Sequence, residues 1–287
     1  MDPATDSAVR ADPFGHGHVT VIEPSRGWRM LDLGELWAYR ELLWVLTRRD
    51  VRVRYRQTVL GAGWAIIRPV LTMVIFTVLF GRLAQMPSEG FPYPIFVYSA
   101  LLPWTFFAAA LASAGGSVVG SANLIRKVYF PRLIVPLSSI GAGLVDLAIS
   151  TLVLLAMMVW YGVGWTWHLA LAPLLLVAVV FTALGVGTVL AAASVSYRDI
   201  HHLTPFLIQI WMFLTPVIYP TSLVPERWRW LLYLNPMTGL IDGFRSAFLG
   251  KPFDLAALAT SAAVSVVLFV VGIAYFERVE RRFADVI

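Results

Sequence analysis

The feature that most constrains this chain is where its charges are missing. Residues 91–125 carry no formal charge, and residues 133–197 carry one, Asp146. Such runs hold more apolar surface than an aqueous core can hide. A helix rising about 1.5 Å per residue needs about 20 apolar residues to cross a hydrocarbon layer about 30 Å thick. Of the 287 residues, 59% are hydrophobic and 14% charged, against roughly 45–50% and about 25% in a typical soluble domain. A soluble globular protein is therefore excluded, and lipid takes the place of water around this chain.

The longer gap has room for two spans, divided by the turn formers and aromatics of residues 161–168 (YGVGWTWH). Further spans are predicted at about residues 61–80, 202–219 and 255–276, which with one in 91–125 gives an all-α membrane protein with six transmembrane helices. Cytoplasmic segments carry the excess of Lys and Arg. One side holds Arg48, Arg49, Arg52, Arg54, Arg56, Arg126, Lys127, Arg132, Arg198, Arg278, Arg281 and Arg282, and the other holds Arg82, Arg227, Arg229, Arg245 and Lys251. Both termini are thus expected in the cytoplasm. The weak point is the last outer segment, which holds four of those five outer basic residues.

That segment, residues 220–252, is too apolar for a solvated loop and too interrupted to span, with Pro216, Pro220, Pro225 and Pro236 each removing a donor. Short re-entrant or interfacial helices between spans 5 and 6 are expected, provided the freed backbone groups are buried in protein or line a wet cavity. Two extra short spans are the alternative, and neither half reaches the required length. Residues 1–30 are polar, without an apolar central region, and are expected to be a disordered cytoplasmic tail. His16 and His18 lack a third ligand, so no metal site is predicted. The absence of cysteine excludes disulfides and thiol chemistry.

Residues 31–59 pattern as an amphipathic interface helix. Asp32 and Glu35 open it and arginines close it, as a helix dipole favours. Leu36, Tyr39, Leu43 and Leu46 recur at helical spacing, while Arg49, Arg52 and Arg56 share another face. The arginines serve equally as an orientation signal, and the two roles are compatible. The inner segment Asn123-Leu124-Ile125-Arg126-Lys127-Val128-Tyr129-Phe130-Pro131-Arg132 sets apolar anchors beside a basic face. It fits docking in a groove of another protein or folding back on the membrane surface. Arg68, within the first predicted span, either snorkels to the interface or meets a substrate phosphate. Asp146 either pairs with a cation or helps pack spans.

No phosphate loop, His-Glu-x-x-His or Gly-x-Ser-x-Gly occurs, and no cluster of ionisable groups converges within the spans. The net charge of +5 is accounted for by topology and gives no support to nucleic-acid binding.

Three separated runs, residues 55–69 (YRQTVLGAGWAIIRP), 123–132 and 235–245 (NPMTGLIDGFR), resemble the type-2 ABC exporter permeases, with the polysaccharide and polyol-phosphate exporters as the nearest subgroup. The resemblance runs from about residue 31 to the C terminus and defines residues 60–287 as the six-span domain. It implies a homodimer in the bacterial inner membrane that binds two copies of a cytoplasmic ABC ATPase. ATP and Mg would be held by that partner, this chain having no cofactor or enzymatic site of its own. Asn123 to Arg132 would be the ATPase-coupling helix. The interface helix, with Arg49, Arg52, Arg56 and Arg68, would frame a lateral entrance for a lipid-linked glycan. Aromatic faces suit a sliding polymer, so Phe76, Phe80, Phe206, Trp211 and Phe213 are channel candidates, with lipid contact or core packing as the alternative for each. A same-superfamily exporter of a small lipid or drug, and a membrane-embedded enzyme acting on polyprenyl-linked sugars, are the competing functions.

Overall fold

The computed structural model of the protein describes residues 33–56, 61, 63–281 and 283, and every regular element among them is helical. The expected tail with His16 and His18, and residues 57–60 of the first family-like run, lie outside the described residues.

Five helices are long and apolar enough to cross a membrane. The first is α3 (Gly63–Phe76), which continues as a π-helical stretch, Thr77–Leu83. The others are α4 (Tyr93–Gly120), α6 (Ile134–Trp160), α7 (Ala172–Ser196, led in by a 3-10 turn at Trp167–Leu171) and α11 (Leu255–Glu280). Each coincides with a predicted span, although the first also contains Arg68 and Arg82. At residues 202–219 the structure differs: α8 (Ile200–Leu214) has 15 residues and reaches only about 22 Å at about 1.5 Å per residue. Its end has a local cause. Thr215 precedes Pro216, a position biased away from helix, and adopts extended backbone at φ −109°, ψ 138°.

The broken outer segment forms a short pair, α9 (Glu226–Tyr233) and α10 (Pro236–Leu249). The two differ sharply in surroundings: no residue of α9 is buried, whereas nearly all of α10 is. Asn235 caps α10 by accepting from the Met237 amide at 3.1 Å, Pro236 needs no donor there, and Gly250 ends the helix in the left-handed region at φ 72°.

Helix α4 is the axis of the core, with most of its length buried among α6, α7 and α10, while in α3 only Pro69 is buried and Val70, Met73 and Phe76 are half-buried against the core. Close backbone approach holds α7 and α10 to α11. A Cβ on Gly185 would stand 2.4 Å from the Leu268 backbone, and one on Gly272 would stand 2.0 Å from the Gly185 carbonyl oxygen. Hydroxyls finish the same seam: Thr182 Oγ1 donates to Ser265 Oγ at 2.7 Å, and the Gly239 amide donates to Ser261 Oγ at 3.0 Å. Gly272→Val should therefore lower the unfolding temperature of the purified protein, with a cost of about 1–3 kcal/mol or more for overpacking against backbone. Gly120→Ala, where a Cβ meets nothing within 4 Å, should leave it unchanged.

Candidate functional site

At one end of the bundle the residues expected to form an interface helix are helical over their described part, as α1 (Leu33–Ala38) and α2 (Arg40–Tyr55), offset at Tyr39. The predicted apolar face is the one turned inward. Leu46 is buried, and Leu36, Tyr39, Leu42 and Leu43 pack with it around Phe130, Ile134 and Val135. Trp37 and Trp44 point outward. Arg49, Arg52 and Arg56 are exposed, and Arg49 also grips the neighbouring Asp50 at 2.9 Å. Arg68 is not gathered with them by any recorded contact; it is exposed and lies over the Trp64 ring, 5.6 Å from its centre.

Sequence reasoning missed Arg54. It pairs with Asp146 of α6, and the adjacent Tyr55 hydroxyl donates to the other oxygen of the same carboxylate. Asp146 thus has its cation, 92 positions away in the chain. Beside this knot a polar cavity of about 250 Å³ opens between α2, α4 and α6, with Arg49, Arg54, Ser113, Ser117, Ser121 and Ser139 among its lining residues.

The inner segment forms a six-residue helix, α5 (Ala122–Lys127), followed by an extended Val128. Its apolar residues divide between two directions. Val128 and Tyr129 are exposed, Tyr129 at 64%, together with Asn123, Arg126 and Lys127, whereas Phe130 is buried at 4% against the interface helix with Leu124 and Ile125 beside it. Leu133, the residue after Arg132, joins a cluster with Phe276 and Phe283. Arg132 itself donates to the Glu280 carbonyl and lies over the Phe283 ring, so Pro131 and Arg132 lead into a segment tied to α11.

The five candidate channel aromatics are not assembled into one surface within the chain. Phe76 and Phe80 pack edge to face at 5.7 Å and are half-buried on the first span. Trp211 packs against Phe107 of α4, and its indole donates to Asn235 Oδ1 at 2.9 Å. Phe206 and Phe213 are exposed along α8.

At the other end the structure reveals residues that the charge count treated only as outer basic groups. Arg245 is fully buried. Its guanidinium donates to the carbonyl oxygens of Val217 at 2.8 Å and Tyr219 at 3.4 Å, and stacks 3.9 Å from the centre of the Phe96 ring. The Tyr93 hydroxyl donates to the Ile218 carbonyl at 2.8 Å between them. Lys251 pairs with Glu89 of the loop between α3 and α4, and Ser222 also donates to Glu89. Burial alone would raise the Glu89 pKa, but Lys251 and Ser222 outweigh it and hold the carboxyl below its usual range. An Arg beside aromatics in an apolar run is the signal that would have found this node.

The apolar helices of spanning length, together with the amphipathic lead-in and the buried α10, are the arrangement of a multi-pass membrane protein. Residues 41–249 match the ABC-2 type transporter family, and the chain belongs to it. It is 32% identical over 254 residues to the O-antigen export system permease protein RfbA of Myxococcus xanthus, covering 88% of this chain and 97% of that protein. It is 26% identical over 251 residues to the RfbA permease of Klebsiella pneumoniae, covering 86% and 95%. It is also 22% identical over 235 residues to the polysialic acid transport protein KpsM of Escherichia coli, covering 79% and 89%.

The Glu89–Lys251 pair should be insensitive to mild acid. A carboxyl whose pKa is depressed on folding contributes stability that is complete above its unfolded value and is lost as pH falls through the folded one. The unfolding-temperature gap between the native protein and Glu89→Gln should therefore be constant above the ordinary glutamate value of 4.5 and shrink below it. A gap that closes already near about pH 6, where carboxylates are ordinarily ionised, would contradict this assignment.

Proposed function

We propose that this chain is the permease subunit of an ATP-driven exporter that carries a lipid-linked polysaccharide, O-antigen-like or a related surface glycan, across the bacterial inner membrane. The observation that carries the reading is the end-to-end similarity to an O-antigen export permease, over 88% of this chain and 97% of that protein. Export of a small lipid or drug is the less favoured alternative, because the relatives that match over 86–88% of the chain are named as O-antigen export permeases. A membrane enzyme acting on polyprenyl-linked sugars is the least favoured reading, because the similar proteins reported above are named as export or transport proteins.

In this reading two copies of the chain flank a channel and each binds one cytoplasmic ATPase, which holds ATP and Mg. The exposed face of α5, with Asn123, Arg126, Lys127, Val128 and Tyr129, enters the ATPase cleft, and the buried Phe130 passes motion to α1 and α2. Arg52 and Arg56 draw the anionic lipid carrier to the entrance, with Arg49 and Arg68 at its margins. Helix α8 and the buried α10 behind it together serve as the fifth crossing, giving six spans with both termini cytoplasmic. Burial of Arg245 and pairing of Lys251 remove two basic residues from the outer count and support that orientation. Phe206 and Phe213, exposed on α8, and Phe76 and Phe80 on the first span are the sugar contacts offered to a second copy, while Trp211 braces α8 against α4.

Two experiments test separate parts. Tyr129→Ala with Lys127→Ala should lower surface glycan at least about tenfold, as loss of an interface hot spot of about 2 kcal/mol implies, with the unfolding temperature unchanged; full export would remove the coupling role. Phe130→Ala should instead cost about 3–5 kcal/mol of stability. Arg52→Gln with Arg56→Gln should reduce export at limiting glycan supply by about tenfold or more, at about 1 kcal/mol per basic residue near an anionic surface. Export at saturating supply should be retained, and an unchanged response at limiting supply would sink the capture role.

A further inference from the structure

We infer that Asp146 is a positioning residue, which fixes the interface helix α2 on α6 through Arg54 and Tyr55 and so sets where the exposed arginines of α2 stand. Asp146 is the only charge in residues 133–197 and lies about halfway along α6. A carboxylate at such a place is costly unless paired and hydrogen-bonded. Both of its oxygens are taken: Arg54 Nη1 donates to Oδ2 and the Tyr55 hydroxyl to Oδ1. Adjacent donors on one helix hold a carboxylate with more orientation than one donor does, and the grip fixes the rotation of α2 as well as its distance from α6.

The rest of the seam follows the same stripe of α6. Ser138 Oγ donates to Asp50 Oδ2 at 3.3 Å, and Gly141 leaves space for Thr47, whose side chain would lie 3.3 Å from a Cβ there. Ser150 Oγ donates to the Ala65 carbonyl at 3.1 Å, reaching the start of the first span. Ser138, Asp146 and Ser150 recur at multiples of four residues, one face of a helix. The interface helix is therefore seated by polar contacts from α6 as well as by the leucine face described above. The arginines of α2 divide accordingly. Arg54 is committed to Asp146 and Arg49 to Asp50, while Arg52 and Arg56 stay exposed on the helix those contacts orient. The consequence for substrate entry rests on the exporter reading; the seating of α2 does not.

The chain lacks cysteine, so an introduced pair reports cleanly. Thr47 Cβ lies 3.9 Å from a Cβ built at Gly141, within the range of about 3.5–4.5 Å that a disulfide needs. In membranes holding the full chain, Thr47→Cys with Gly141→Cys should close on mild oxidation. Adding Asp146→Asn should slow closure about tenfold, and Arg54→Gln should do the same from the other side of the pair, which carries the test if the first variant is not recovered in the membrane. In cells, Asp146→Asn should lower export at limiting glycan supply while largely retaining it at saturating supply, and closing the disulfide in that background should restore the limiting-supply response. Closure at the native rate in the recovered variants would overturn the inference. So would a closed disulfide that leaves Asp146→Asn defective, because Asp146 would then act in some way other than positioning. Slowed closure in a protein that moves no glycan would instead overturn the exporter reading and leave the seating of α2 intact.

Discussion

Backbone polar groups have no water to turn to inside a bilayer, and the structure is organised around the one place where that constraint bites hardest. After α8 the chain leaves helical geometry at Thr215, which frees the carbonyls of Val217, Ile218 and Tyr219. Each unsatisfied group there would cost several kcal/mol. All three are met by side chains, from Arg245, Tyr93 and Arg245 again. Asn235 completes the repair by donating to Thr215 Oγ1 at 2.8 Å while it caps α10. The break in the helix is thus permitted because α10 lies beside it, and α10 lies there only if it is buried.

The burial of α10 depends in turn on how spans associate in lipid. Apolar surface gives no driving force between helices that lipid already solvates, so close backbone contact and interhelical hydrogen bonds decide the packing. Helix α11 presents Ala257, Ser261, Ser265 and Gly272 to its neighbours, all of them small and buried. Gly239 of α10 approaches so closely that a Cβ would stand 2.4 Å from the Ala257 carbonyl oxygen, and Gly185 of α7 meets Gly272 in the same manner. A larger residue at either position would lift α10 or α7 away and expose the carbonyls that Arg245 now covers.

Much of this arrangement was legible in the sequence, for physical reasons that also explain the rest. Charge gaps locate spans because a charge at membrane depth is expensive whatever the fold, and α4, α6 and α7 coincide with the two long gaps at residues 91–125 and 133–197. The proline-interrupted segment marks itself as neither loop nor span. It reads as a pair of short re-entrant or interfacial helices, and because local pattern cannot distinguish an apolar helix facing lipid from one facing protein, only tertiary contact separates the buried α10 from the unburied α9. Arg245 was misread for a related reason: composition counts it as a loop charge, and only tertiary contact reveals Phe96 at 3.9 Å. Phe130 belongs with Tyr129 by adjacency, yet once the chain leaves helical geometry at Val128 the Tyr129 side chain is exposed and that of Phe130 is buried. The partner of Asp146 is 92 positions away, beyond the reach of any periodicity.

At the inner end the same economy of polar groups joins elements that a topology diagram draws apart. Phe130, Leu124 and Ile125 rest on α1 and α2, and Asp146 holds α2 to α6. Arg132, at the far end of the inner segment, is bound to the last turn of α11 and to Phe283. A force applied to the exposed face of α5 therefore meets two resistances, one through the apolar cluster beneath it and one through α11. The first path leads to the helix that bears Arg52 and Arg56, and the second to the span whose small residues seat α7 and α10. Close-packed contacts switch between discrete arrangements more readily than they deform. Displacement of α5 would consequently reach both α2, which bears Arg52 and Arg56, and α11, against which α7 and α10 are packed.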